Sequence, residues 1–144
     1  MSAQSRITIV TAPSGGGKTS YICKNYDGCR GFVTLKSDRE GRKLFLRNLA
    51  TGDERVLMYR GVELTYIVDD AVFRDANAWL CTLDSGLVVL DECGWMECEG
   101  RGFRPALEHF RQCMELECVL SVRLDRLQWY LDFFSGRDVD VVRL

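Results

Sequence analysis

Ile7-Thr8-Ile9-Val10-Thr11-Ala12-Pro13-Ser14-Gly15-Gly16-Gly17-Lys18-Thr19-Ser20 passes from an apolar run through a glycine-rich turn into the start of a helix. The stretch has the form of a P-loop (Walker A) motif, with Ala12 where glycine is commoner. Each residue type has a physical task. The glycines let successive backbone N–H groups point into one concavity, Lys18 reaches the β- and γ-phosphates of a nucleotide, and the Thr19 hydroxyl can ligate Mg²⁺. A helix beginning near Gly17 aims the positive end of its dipole at the same anion. Residues 12–20 are therefore the expected nucleotide-binding segment. A flexible Gly/Ser turn is the plainer alternative, and it leaves the strand before and the helix after unexplained.

Outward from this stretch the chain alternates between strand and helix patterns. A strand near 6–11 precedes the turn, and a helix from about 17 to 25 follows it. Between 31 and 60, short apolar runs (Phe32-Val33-Thr34-Leu35, Leu44-Phe45-Leu46, Val56-Leu57-Met58) are separated by turn residues and read as an antiparallel meander. Val72, Phe73, Ala76, Trp79, Leu80 and Leu83 recur at helical spacing over about 70–83. Leu87-Val88-Val89-Leu90 is all apolar, the type of strand buried in a parallel sheet. A helix near 104–116, a strand at 118–122, a helix near 124–134 and a strand near 138–143 complete the pattern. The expected fold class is α/β, a mainly parallel sheet flanked by helices with the meander inserted after the first helix.

Asp91-Glu92 follows the apolar run at 87–90 directly, which puts two carboxylates at the carboxyl end of a buried strand, where open α/β sheets place ligands. This is a Walker B arrangement. Asp91 is the expected Mg²⁺ residue, and Glu92 is expected to orient and polarise an attacking water, with Lys18 as its catalytic partner. The residues that follow, Cys93-Gly94, complete a D-x-x-G, and Lys36-Ser37-Asp38 imitates a guanine-reading K-x-D. Their order is reversed relative to a guanine-nucleotide switch, so guanine specificity is unsupported.

Composition excludes several classes. With 144 residues and 47% hydrophobic content, the chain is long enough to bury a core as one domain, 1–144. Net charge is −2 and the 19 basic residues are scattered, so no nucleic-acid footprint stands out. The segment 1–6 lacks an apolar signal core and no apolar run approaches spanning length, so the expectation is a cytoplasmic protein with no membrane contact. The 7 cysteines, none in C-x-x-C spacing, read as small buried hydrophobes of a reducing compartment. Cys93/Cys98 and Cys113/Cys118 share a C-x4-C spacing, but His109, expected on a helix surface, has no partner at zinc-finger spacing.

Asp91-Glu92-Cys93-Gly94-Trp95-Met96-Glu97 resembles the D-E-I-G-x-M-E signature of the THEP-type nucleoside-triphosphatases, with Cys93 in place of Ile. Gly31-Phe32, the stretch from Leu44 to Asp53, and Tyr66 with Phe73 and Ala76 are similar to the family's central region in the same order. The resemblance implies a RecA-like P-loop NTPase fold and Mg²⁺-dependent hydrolysis of several nucleoside triphosphates, ATP and GTP among them, to diphosphates. Where the family tends toward Thr-Val-His, this chain has Ser121-Val122-Arg123. Glu97 matches the signature and stays ambiguous, the base in place of Glu92 or else a supporting or surface group, with Glu92, adjacent to Asp91, the preferred base.

Phosphoryl transfer calls for positive charge near the transferred group, and Arg101, Arg104, Arg123 and Arg126 all follow the acidic pair where an arginine finger in cis can sit. Tyr66, Trp95, Trp129 and Tyr130 offer a stacking face that tolerates any base. Two competing functions stay open: a small-molecule or nucleotide kinase with an Arg101-Gly102-Phe103-Arg104 lid, and a non-enzymatic nucleotide-gated module whose meander meets a protein partner. The sequence names no such partner.

Overall fold

The computed structural model describes residues 6–13, 16–36, 43–60 and 66–144, with the side chains of 60, 66 and 92 excepted. Among these residues eight strands form one sheet in the order β5-β4-β3-β2-β6-β7-β1-β8. β1 (Ile7–Ala12), β7 (Leu116–Arg123), β6 (Gly86–Cys93), β2 (Gly31–Lys36) and β8 (Val139–Arg143) make the parallel part. β3 (Lys43–Asn48), β4 (Glu54–Arg60) and β5 (Tyr66–Val68) extend it antiparallel from β2. The expected meander is present, continues one strand further than 60, and shares β2 with the parallel sheet.

The parallel strands are apolar because both faces are covered. On one face, Val10, Val33, Val89 and Val119 pack with Ile22 of helix α1 (Lys18–Tyr26). On the other, Ile9, Leu90 and Leu120 pack with α2 (Asp70–Leu80), α4 (Arg104–Gln112) and α5 (Leu127–Phe133), which contribute Phe73, Leu107, Phe110 and Tyr130. Helix α2 starts where the Asp69 carboxylate accepts from the Ala71 N–H at 3.1 Å, satisfying one orphan donor of its first turn.

Several boundaries differ from the sequence reading. Helix α4 ends at Gln112 rather than near 116, since Cys113 turns extended and its N–H still caps the His109 carbonyl. A four-residue helix α3 (Trp95–Cys98) stands where none was expected, and a 3-10 turn (Leu124–Arg126) leads into α5. The cysteines are not uniformly buried: Cys93 and Cys118 are, whereas Cys81 is exposed, and all seven are free thiols. Burial pushes the Cys118 thiol up to about 12, keeping it protonated and unreactive. His109 is half-buried, its Nε2 lying 2.5 Å from the Leu83 carbonyl oxygen. No helix among the described residues is long and apolar enough to cross a membrane.

Candidate active site

The site is built at the carboxyl ends of β1, β6 and β7, where the turn after β1 meets the acidic end of β6. Gly17 enters α1 at φ 86°, a left-handed conformation open to glycine at little cost. A Cβ on Gly16 would come within 2.5 Å of the Ala12 Cβ and 2.7 Å of the Pro13 carbonyl oxygen, so the turn closes only without a side chain there. Among the described residues no side chain caps α1, and its first turn holds no acidic residue, which leaves its N–H groups and dipole to an anion. Lys18 is buried and lines the same cavity as Gly16, Gly17, Thr19 and Ser20. Ser14 and Gly15, the remaining P-loop positions, lie outside the described residues.

β7 separates β1 from β6, yet the two loops meet. The Thr19 hydroxyl donates to Asp91 Oδ2 at 2.8 Å. Asp91 is fully buried and also accepts from the Thr34 N–H at 3.3 Å and from the Ser121 hydroxyl. One carboxylate therefore gathers donors from α1, β2 and β7. The site fits a hard divalent cation by its donor set, a carboxylate and a hydroxyl held together beside a phosphate cradle.

Asp91 and Glu92 do not follow the strand as expected; they lie inside it. Leu90 pairs with Leu120 and Cys93 with Val122, so three steps on β6 match two on β7. The extra residue is a bulge, which bends a strand and re-aims its side chains. Glu92 is placed by its backbone in this bulge, and its side chain lies outside what is described.

Gly94, Met96 and Glu97 of the signature are held as scaffold. Glu97 is buried, with Oε1 accepting from the Gly94 N–H at 2.8 Å and Oε2 from the Phe103 N–H at 2.9 Å. Burial pushes its carboxyl above the usual carboxylate range, against the pull of those two backbone donors. The Tyr130 hydroxyl donates to the Gly94 carbonyl at 2.7 Å, and Met96 joins the core. These contacts hold the 94–103 segment over the cavity.

Of the four candidate arginines, Arg101 and Arg123 line the cavity and Arg104 and Arg126 do not. Arg104 is committed elsewhere. Its Nε donates to Glu108 at 2.8 Å, its Nη1 donates to the Glu97 carbonyl at 3.0 Å, and its guanidinium lies over Trp129 and Phe133. Arg123 pairs with Asp125 at 3.0 Å, and the Arg101 guanidinium lies 6.0 Å from the Trp95 ring centre. The expected stacking face is corrected as well: Tyr130 is fully buried and Trp129 stacks on Phe133, leaving Trp95, 42% exposed, on the cavity wall. The Tyr66 side chain lies outside what is described.

Sequence reasoning gave Ser121 and Thr34 no part in the site. Their signal was available in each case, a lone hydroxyl interrupting an apolar strand: Thr34 within Phe32–Leu35 and Ser121 within Cys118–Val122. The cavity itself measures about 1100 Å³ and continues past Thr34 onto Leu44, Leu57, Met58, Val68 and Phe73.

By sequence the chain matches no family model and no curated protein. Among solved structures it is similar to a human cancer-related nucleoside triphosphatase, with a TM-score of 0.72 and 20% identity over 97% of this chain and 89% of that one. It is also similar to THEP1 from the hyperthermophile Aquifex aeolicus, with a TM-score of 0.67 and 15% identity over 96% of this chain and 89% of that one. The chain thus has the α/β P-loop fold that the resemblance in its sequence implied.

Proposed function

We propose that this chain hydrolyses nucleoside triphosphates to diphosphate and phosphate, dependent on Mg²⁺ and tolerant of the base. The observation that supports it is the 2.8 Å contact between the Thr19 hydroxyl and Asp91, which joins a phosphate cradle to a buried carboxylate. Of the two structural neighbours that share its fold, one is named as a nucleoside triphosphatase, which supports the same reading for this chain.

Lys18 and the N–H groups at the start of α1 bind the β- and γ-phosphates and offset their charge. Thr19 and Asp91 are the residues that would hold Mg²⁺, which when bound neutralises charge developing on the phosphate oxygens. Glu92, next to Asp91 in the bulge, accepts the proton of the attacking water. Arg101 or Arg123 supplies positive charge to the transferred group.

A kinase is the second reading, favoured by the apolar wall that continues from the phosphate site, where a small molecule bearing a hydroxyl can replace water. One measurement separates the two. With Mg²⁺ and ATP, GTP, CTP or UTP but no added acceptor, a hydrolase releases phosphate and the nucleoside diphosphate in equal amounts; silence with all four, followed by transfer once an alcohol is supplied, would establish the kinase.

A further inference from the structure

β7 ends between the two halves of the site. It runs between β1 and β6, and its last residue, Arg123, pairs in register with Ala12, where the phosphate cradle begins. Side chains alternate along a strand, so Arg123 shares a face of the sheet with Ser121. That face carries the chemistry. The Ser121 hydroxyl donates to Asp91, which also accepts from Thr19 of α1, and the register partner of Ser121, Val10, packs with Ile22 of the same helix. A ligand that spans from the cradle to Asp91 crosses the end of β7 and passes Arg123.

Arg123 is open to such a ligand: its side chain is 49% exposed and lines the cavity. Its stem lies beside Gly94, where an added Cβ would stand 3.4 Å from Arg123 Cδ. The guanidinium is held along one edge, with Nε donating to Asp125 Oδ1 at 3.2 Å and Nη2 to Oδ2 at 3.0 Å, and Nη1 has no partner among the described residues. Asp125 is exposed as well, and an ion pair in water adds little to stability. What a two-point pairing supplies is geometry, because it fixes the planar guanidinium in one orientation. Arg101, the other arginine on the cavity wall, has no carboxylate partner among the described residues, and its guanidinium lies near the Trp95 ring.

We propose that Asp125 is a positioning residue: it holds Arg123 at the end of β7 so that the remaining N–H groups of the guanidinium stabilise the phosphate being transferred, which makes Arg123 rather than Arg101 the arginine of the reaction. This rests on the nucleoside-triphosphatase reading of the site.

The test is phosphate release from Mg-ATP by the parent, Arg123→Ala, Asp125→Asn, the double variant and Arg101→Ala, with a melting curve for each. Arg123→Ala should lower kcat by about 10²–10³ with KM within about threefold of the parent, the pattern of an interaction made in the transition state, and Arg101→Ala should lose less. Asp125→Asn should lower kcat by about tenfold to a hundredfold, since a guanidinium released from its pairing is no longer preorganised. The double variant should be no slower than Arg123→Ala, because Asp125 acts through Arg123 alone. All four should melt like the parent, the pair being exposed. An Asp125→Asn protein as fast as the parent or faster, losses that multiply in the double variant, or a larger loss in Arg101→Ala than in Arg123→Ala would each overturn the assignment and leave the hydrolase reading standing. A parent that releases no phosphate from ATP, GTP, CTP or UTP would overturn that reading and the proposal with it, and that result appears before any variant is compared.

Discussion

Thr19 and Asp91, 72 positions apart in sequence, are joined by a 2.8 Å hydrogen bond that closes the phosphate cradle onto the acidic end of β6. Asp91 is held in turn by Ser121 from the intervening strand, so the geometry of the cradle depends on a residue that need not touch the nucleotide. Hydrogen bonds to a charged group contribute about 1.5–3 kcal/mol. Ser121→Ala should therefore weaken Mg²⁺-nucleotide binding and turnover by roughly tenfold to a hundredfold, read by titration and by phosphate release. Parent-like binding and turnover in Ser121→Ala would show that Asp91 is oriented without it.

Lys18→Ala removes the buried cation at the base of the cradle. Affinity and turnover should fall together, by roughly tenfold to over a hundredfold. A variant that binds and hydrolyses triphosphate like the parent removes the P-loop from the mechanism.

Glu92 and Glu97 are expected to separate cleanly. Glu92→Gln should keep Mg²⁺-nucleotide bound while turnover drops by about 10²–10⁴, the usual contribution of a positioned general base. Glu97→Gln should instead act on folding. Glu97 accepts two backbone N–H bonds, an amide can accept only one of them through its oxygen, and the loss is about 1–3 kcal/mol of stability. If Glu97→Gln melts like the parent but stops turning over, the base is Glu97.

What was legible in the sequence is what depends on local chemistry. Glycines before Lys18 and Thr19, and an apolar run ending in two carboxylates, are short patterns with one physical use each. The bulge was not legible, because it arises from the mismatch between β6 and β7, and nothing within 87–93 alone records its neighbour's register. Glu97 was ambiguous for the same reason: its partners include Phe103, six residues on, and only the fold of the intervening segment brings that N–H to it. Arg104 and Arg123 look alike in a sequence, but one is used up by Glu108, the Glu97 carbonyl and two aromatic rings.

The burial of Glu97 gives stability a pH dependence of its own. Its folded pKa is raised, by desolvation first, above the unfolded value of about 4.3. Between those two values the native state keeps a proton that the unfolded chain has lost, so this residue's contribution falls as pH rises through that window. Glu97→Gln lacks the titration. The stability gap in favour of the parent should therefore widen as pH is lowered from about 8 toward about 4, measured by denaturant unfolding of both proteins. A gap that stays constant across that range would mean that the two N–H bonds fully offset the burial.

Base selectivity follows from what faces the cavity. Strong discrimination requires buried donors and acceptors that the wrong base leaves unpaired, which can reach 10⁴–10⁵, whereas shape and stacking alone give roughly 10–200-fold. With Tyr130 buried in the core and Trp129 stacked on Phe133, Trp95 is the exposed one of the described aromatics on the cavity wall, Phe73 and Phe103 there being buried, and a ring face does not read hydrogen-bond patterns. ATP, GTP, CTP and UTP should then be hydrolysed with kcat/KM values within about two orders of magnitude of one another. Trp95→Ala should weaken all four to a similar degree, since stacking contributes about 1–3 kcal/mol whichever base is present. In a competition assay, a preference beyond about 10⁴ for one base would require an ordered hydrogen-bonding pocket and would favour a dedicated kinase over a broad hydrolase.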